Sequence, residues 1–353
     1  ATNPNHEDTM KHSLTLPTLL TLALTFISCF GSKKDDDGTI IPPVPQDGRV
    51  VYLAGTYSEN NKYGIPAVWK NGVRQTLPHY ENEPGYDYSV IESIFVSNDN
   101  KVYVLGEICL YNNPLSGHYL WIDGVPQKLD MNAILLFVSG NDVYIYGSKE
   151  GIGRAIWKNG TIIITDCGNI RSIYVSGNDV YACYYGDDNG KTVILKNGTH
   201  LYDITDGAIM SLCVSSNDVY ACGVYDSGTL IPGESEIKYN PCIWKNGVRQ
   251  DLNTGKGRTQ VRGMAVSGND VYVAGSDDPS GLRTYATLWK NGVVQNLKDA
   301  NITEGRRFSA YNISVLESDV YVLGLDMNNS VIWKNGEVYQ RLLNATTNTM
   351  FVK

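Results

Sequence analysis

The chain has 353 residues, 42% of them hydrophobic and 19% charged, with a formal net charge of -8. An acidic balance without a basic stripe excludes a nucleic-acid binder, which neutralises phosphates with clustered Lys and Arg. Glycine (35) and tyrosine (24) are plentiful, which suits many short strands and turns rather than long helices.

Residues 1–9 precede Met10-Lys11 and are set apart as an upstream extension. The apolar run Leu14 to Ile27 is too short for a membrane span and reads as the core of a signal peptide over residues 10–28. Phe26-Ile27-Ser28-Cys29 resembles a bacterial lipobox, with Phe where Leu is usual. The resemblance implies that Cys29 carries lipid and that this anchor is the chain's only membrane contact. Residues 29–46 read as a linker that includes Pro42-Pro43-Val44-Pro45. Within it, Lys33-Lys34-Asp35-Asp36-Asp37 is similar to the acidic export signal of Bacteroidetes surface lipoproteins. That similarity implies a place in the bacterial outer membrane, facing the surface. A solvated linker would look much the same, so the periplasmic face stays open.

From residue 47 to the end, two phrases alternate. Trp-Lys-Asn-Gly begins at Trp69, Trp157, Trp244, Trp289 and Trp333, with variants at Trp121 and Leu195. Val-Ser-Gly-Asn-Asp-Val-Tyr or a near copy places its tyrosine at Tyr52, Tyr103, Tyr144, Tyr181, Tyr220, Tyr272 and Tyr321. Strict alternation at this spacing marks a repeat protein. In the sixth unit the pattern predicts strands over Val261 to Ser267, Val271 to Gly275, Tyr285 to Lys290 and Val293 to Leu297. Asn-Gly between β-rich runs is a strong hairpin signal, because a type I′ turn needs positive φ at both central residues. Each unit is therefore a four-stranded antiparallel meander of roughly 35 to 50 residues. Strands such as Val271-Tyr272-Val273-Ala274 are apolar at consecutive positions, so their sheets are covered on both faces. A sandwich or barrel would alternate.

The first unit opens at Arg49-Val50-Val51-Tyr52 without a first strand, and Thr349-Met350-Phe351-Val352-Lys353 matches first strands elsewhere. The expected fold is all-β: a seven-bladed β-propeller of four-stranded antiparallel blades, with the ring closed where the C-terminal strand joins the first blade. Residues 47–353 thus resemble the broad class of bacterial β-propellers, near kelch-like and other secreted repeats rich in Val-Tyr-x-x-Gly. They lack the Gly-His and Trp-Asp signature of WD repeats, the double glycine of kelch units and the Asp-box of sialidases, so no functional family follows.

Apart from Cys29 the cysteines are Cys109, Cys167, Cys183, Cys213, Cys222 and Cys242. Cys183 and Cys222 occupy a strand position filled elsewhere by Leu105, Tyr146, Ala274 and Leu323, as small buried hydrophobes would. No Cys-x-x-Cys pair suggests zinc, and no cofactor or metal is expected. His79, His118 and His200 fall in no catalytic motif, and Asp187-Asp188-Asn189-Gly190 and Asp277-Asp278 lack the ligand spacing of a calcium loop. No catalytic residue is assigned.

Connection parity puts both tight turns of every unit on one rim and the long, variable connections on the other. Variable loops on rigid blades are the usual place for binding groups. If the first strand is innermost, Glu92, Ile134, Arg171, Met210, Arg262, Tyr311 and Asn348 ring the channel mouth on the long-loop side. Of these Glu92, Arg171, Arg262, Tyr311 and Asn348 are the candidate ligand-binding residues, able to hold a carboxylate or an array of sugar hydroxyls; alternatively they solvate a water-filled opening. Loop tyrosines, among them Tyr57, Tyr63, Tyr80, Tyr86, Tyr88, Tyr111, Tyr184, Tyr185, Tyr225, Tyr239 and Tyr285, offer flat amphipathic contact area. The leading expectation is a lipid-anchored binding module for a glycan or protein partner. A glycan hydrolase or lyase with acids at the channel mouth and a scaffold in an envelope complex are the alternatives. Acids of raised pKa at the mouth would favour the enzyme.

Overall fold

A computed structural model describes residues 48–353 except 61, 81–85, 186–190, 206, 231–236, 253–258, 278–284, 296, 298–307 and 327–328. The signal segment, Cys29, the linker to residue 47, Asp187 to Gly190 and Asp278 lie outside the described residues. The secondary structure is all β. In chain order the strands are β1 (Val51–Glu59), β2 (Lys62–Lys70), β3 (Val73–Thr76), β4 (Tyr86–Val96), β5 (Val102–Leu110), β6 (Gly117–Ile122) and β7 (Val125–Lys128). There follow β8 (Asn132–Ser139), β9 (Asp142–Lys149), β10 (Gly153–Lys158), β11 (Thr161–Thr165), β12 (Asn169–Ser176), β13 (Asp179–Tyr185), β14 (Thr192–Lys196) and β15 (Thr199–Ile204). Next come β16 (Gly207–Ser215), β17 (Asp218–Leu230), β18 (Ile237–Lys245), β19 (Val248–Asp251), β20 (Gln260–Ser267), β21 (Asp270–Asp277), β22 (Tyr285–Lys290) and β23 (Val293–Gln295). The chain ends with β24 (Phe308–Leu316), β25 (Asp319–Asp326), β26 (Asn329–Lys334), β27 (Glu337–Leu342) and β28 (Ala345–Val352).

These strands form six sheets. Five are four-stranded antiparallel meanders, β4 to β7, β8 to β11, β12 to β15, β16 to β19 and β20 to β23. The sixth has eight strands and is mixed. It holds two antiparallel sets, β24 to β27 and β28 with β1 to β3, joined by one parallel bridge between Asn329 and Ala345. The fold is propeller-like. The strands expected in the sixth repeat are present, beginning at Gln260, Asp270, Tyr285 and Val293.

The two repeated phrases alternate because they touch. In every set the Asn or Asp of the second tight turn reaches back to the second strand. There its Oδ1 accepts the backbone N–H of Val51, Val102, Val143, Val180, Val219, Val271 or Val320, at 2.8 to 2.9 Å. The same residues, from Asn71 to Asn335, hold φ between 48° and 53°, as a type I′ turn requires. Where the strand opens with Asp, the Asn Nδ2 also donates to that carboxylate at 2.7 Å. The neighbouring Lys then closes the clip, pairing with the Asp at 2.7 to 2.8 Å and lying over the repeat tyrosine at 5.3 to 5.4 Å. Lys and Asn hold Asp142, Asp179, Asp218 and Asp270 below the ordinary carboxylate range. These pairs are partly exposed, so they order the turn more than they strengthen the fold.

The hydrophobic residues of the phrases fill the spaces between sheets. The repeat tyrosines and the tryptophans are buried. Clusters join neighbouring sheets, as where Tyr181 and Cys183 pack with Ile209, Leu212 and Trp244. The fourth strands stay outside: β19 and β23 are exposed at every residue described. First strands meet instead. β28 touches β4, β4 touches β8, β8 touches β12, β12 touches β16, β16 touches β20, β20 touches β24, and β24 touches β28. Along part of this path Phe351, Phe95, Phe137 and Tyr174 stack in succession, with ring centroids 5.9, 5.0 and 5.3 Å apart. Among the described residues no disulfide joins the six cysteines outside the signal region, and Cys183 and Cys222 are fully buried. Burial pushes the Cys183 thiol up to about 12, so these sulfurs behave as inert hydrophobes.

Candidate functional site

Each residue expected at the channel mouth is the extra, unpaired residue of a β-bulge. On β4 the register passes from Ile91 opposite Gly106 to Ser93 opposite Leu105, which leaves Glu92 without a partner. The same skip isolates Ile134, Arg171, Met210, Arg262, Tyr311 and Asn348. A bulge re-aims its side chain and ends regular pairing, and such features concentrate near functional sites.

In six of the seven sets the glycine of Val-Tyr-x-x-Gly lets the bulged strand approach closely. A Cβ built on Gly55, Gly106, Gly147, Gly223, Gly275 or Gly324 would lie 2.0 to 2.3 Å from a carbonyl oxygen of the bulged strand. Only a residue without Cβ admits that approach. Tyr184 stands at this position opposite the Arg171 bulge. There the bulge forms without that glycine, and the Tyr184 ring packs on Gly168, whose Cβ would meet it at 2.6 Å.

Three of the five candidates come together. Arg262, Tyr311 and Asn348 line one cavity of about 510 Å³ with Gln260, Ser276 and Ser309, a volume typical of small-molecule sites at roughly 300–1,000 Å³. The β20 and β24 bulges close up beside it, since a Cβ on Gly263 would be 3.0 Å from the Tyr311 carbonyl oxygen. Arg262 donates from Nη2 to Gln260 Oε1 at 3.0 Å. Asn348 donates from Nδ2 to the Ile91 carbonyl at 3.0 Å, which ties β28 to β4.

Glu92 and Arg171 do not line the cavity. Both are exposed on their own bulges. Crowding by surrounding protein raises the Glu92 carboxyl above its ordinary range; His118 opposes the rise and Glu107 adds to it. Glu107 pairs across the sheet with His118, whose Nδ1 is buried without a hydrogen-bond partner. This acid–imidazole group was not foreseen from sequence. Its members sit on three strands, and no motif joins them.

Tyr311 plays a different part from the one expected. Its ring packs against the core of the eight-stranded sheet. Its hydroxyl is buried with no hydrogen-bond partner, and burial drives the phenol well above its ordinary pKa. The ring, not the hydroxyl, is what a ligand can meet. Gln260, Ser276 and Ser309 were missed because they differ from repeat to repeat; Gln260 and Ser276 oppose one another across β20 and β21. The loop tyrosines divide likewise. Tyr63, Tyr88, Tyr111, Tyr185 and Tyr239 are exposed at strand ends bordering the long connections. Tyr57 is instead buried edge-on against Trp69, with its hydroxyl on Thr76. Among the described residues no group of His, Cys, Asp and Glu is placed to hold a metal, and no helix is long and apolar enough to cross a membrane.

No protein family matches the chain, and no curated protein does. Solved structures do. A puromycin-hydrolysing peptidase of Mycobacterium tuberculosis is similar over 85% of this chain and 52% of its own, at 13% identity and a TM-score of 0.50. The chain therefore spans about half the length of that enzyme. The computationally designed Ika8 protein is similar over 72% of this chain and 73% of its own, at 15% identity and a TM-score of 0.40. An ulvan lyase of polysaccharide lyase family PL25 is similar over 89% of this chain and 83% of its own, at 8% identity and a TM-score of 0.40. Likeness at these identities is a likeness of fold alone.

Proposed function

We propose that residues 47–353 form a closed seven-bladed propeller that binds a glycan on its long-loop rim, carried on a lipid anchor at Cys29 in a bacterial outer membrane. The cyclic succession of first-strand contacts supports the ring. So does the position of β28, which pairs with β1 through seven residues and packs against β4 on its other side. The lipobox-like Phe26-Ile27-Ser28-Cys29 supports the anchor. The observation that carries the binding function is the cavity of about 510 Å³ where the Arg262, Tyr311 and Asn348 bulges meet. Exposed tyrosines on the same rim supply flat faces for sugar rings.

The test is a glycan-array screen of the full chain beside an Arg262→Ala/Arg171→Ala double variant. Binding that the double variant loses supports the reading. Well-folded protein that binds no glycan overturns it and turns the search to a protein partner in envelope extracts.

The Glu92, Glu107 and His118 group favours a second reading, a glycan hydrolase or lyase, because a carboxyl raised above its ordinary range beside a second acid and an imidazole is the arrangement that general acid–base chemistry uses. Any glycan retained on the array would be incubated with the protein and assayed for new chain ends. Turnover lost in Glu92→Gln with binding kept would establish the enzyme; binding without turnover would leave a binding module.

A further inference from the structure

Resting on the glycan reading, we infer that the cavity takes an acidic sugar, with Arg262 gripping its carboxylate. Arg262 is the sole charged side chain among the described residues that line the cavity. Among the described residues its one side-chain hydrogen bond goes to a neutral amide, Gln260 Oε1, and the residue is exposed. The clip lysines, by contrast, are each paired with an aspartate. The acids nearest in sequence to the cavity wall are engaged elsewhere. Asp277, next to Ser276, is buried and accepts from Thr259 Oγ1 at 2.5 Å. Asp326, next to Leu325, is buried and pairs with Arg341 at 3.0 Å. Strand alternation turns both away from the face their neighbours present. No described acid at the wall competes for the guanidinium.

The remaining wall matches the rest of a uronic acid. Ser276 and Ser309 can donate or accept. Asn348 spends an N–H on Ile91, which orients its amide and leaves the carbonyl oxygen to accept from a sugar hydroxyl. Leu325 adds apolar surface for the C–H face of a pyranose. A planar guanidinium fork fits a planar carboxylate through two parallel bonds. One cation balances one monoanion, whereas a phosphate dianion would call for a second positive group or a nest of backbone N–H groups.

The experiment is calorimetric titration of the full chain with oligomers of glucuronic, galacturonic and mannuronic acid, each beside its methyl ester. The ester keeps the sugar and removes the charge. Wild type, Arg262→Gln and Arg262→Lys are compared, with melting curves to show that each variant is folded. The expected result is that at least one acid binds, its ester binds at least about tenfold more weakly, and Arg262→Gln weakens the acid to the level of the ester. Arg262→Lys should fall between, because it keeps the charge and loses the fork. Esters that bind as well as acids, or acid binding indifferent to Arg262→Gln, would overturn the acidic-sugar inference and leave the glycan reading standing. Binding of N-acetylated peptides with a free terminal carboxylate, with no sugar bound, would overturn both. Silence from every probe would also overturn both.

Discussion

Gly223 shows how much one residue decides. A Cβ there would lie 2.0 Å from the Ala208 carbonyl oxygen, and that contact is backbone on both sides, so no flexible side chain can yield. Gly223→Ala should therefore cost about 1–3 kcal/mol from overpacking, or more if the bulge is lost. Urea unfolding followed by tryptophan fluorescence would measure it. The same change at Gly151, which has open space around it but φ of +77°, carries only the left-handed backbone penalty and should cost less. Equal losses at the two sites would mean that bulge geometry does not depend on this glycine. The glycine itself is plain in the sequence as the end of Val-Tyr-x-x-Gly. Its consequence is not, because the carbonyl it accommodates belongs to a strand a dozen or more residues away.

At the scale of the element, a turn is held by a side chain that also locks the strand beside it. Asn246 adopts φ of 51°, accepts the Val219 N–H at 2.8 Å and donates to Asp218 at 2.7 Å. Asn246→Gly keeps the backbone conformation and removes both bonds; Asn246→Ala removes the bonds and adds strain. The expected order of stability is wild type, then Gly, then Ala. The first step should be about 1–2 kcal/mol for two partly exposed hydrogen bonds, and the second about 1 kcal/mol more for a non-glycine residue at positive φ. Chemical denaturation of the three proteins gives the order directly, and an alanine variant as stable as the glycine variant would remove the strain argument. The hairpins were legible from Asn-Gly alone. That the two repeated phrases exist to touch one another needed the register, because Lys245 and Tyr220 lie 25 positions apart and meet only once the strands pair.

For the whole molecule the proposed ring rests on β28. Its backbone continues the β1 ladder to the end, where Val50 and Lys353 exchange hydrogen bonds at 2.7 and 3.0 Å. Lys353 Nζ donates to the Ser97 carbonyl at 2.8 Å, and the Ile94 N–H donates to Thr349 Oγ1 at 3.2 Å. Met350 and Val352 are buried, which contributes about 1.5–3 kcal/mol each as an upper bound, against a total stability of roughly 5–15 kcal/mol for a typical domain. A chain stopped after Ala345 would leave β1 an uncovered edge. It should aggregate or melt well below the full chain in calorimetry, and an unchanged melting temperature would sink the closed ring.

What the sequence determined by itself is whatever repeats. Seven copies of two phrases specify strands, tight turns, buried tyrosines and tryptophans, and a last strand that matches the first strand of other units, because periodic burial needs only local spacing to be read. The bulged residues fall at a position the sequence also singles out, the variable one beside a regular one. The cavity was decided by tertiary structure alone. Gln260, Arg262, Ser276, Ser309 and Asn348 are scattered over 89 positions and share no pattern, and Tyr311 turned its hydroxyl into the core instead of the opening. A pocket is made of the side chains in which neighbouring units differ. Those differences acquire a common location only when packing sets one bulge against the next.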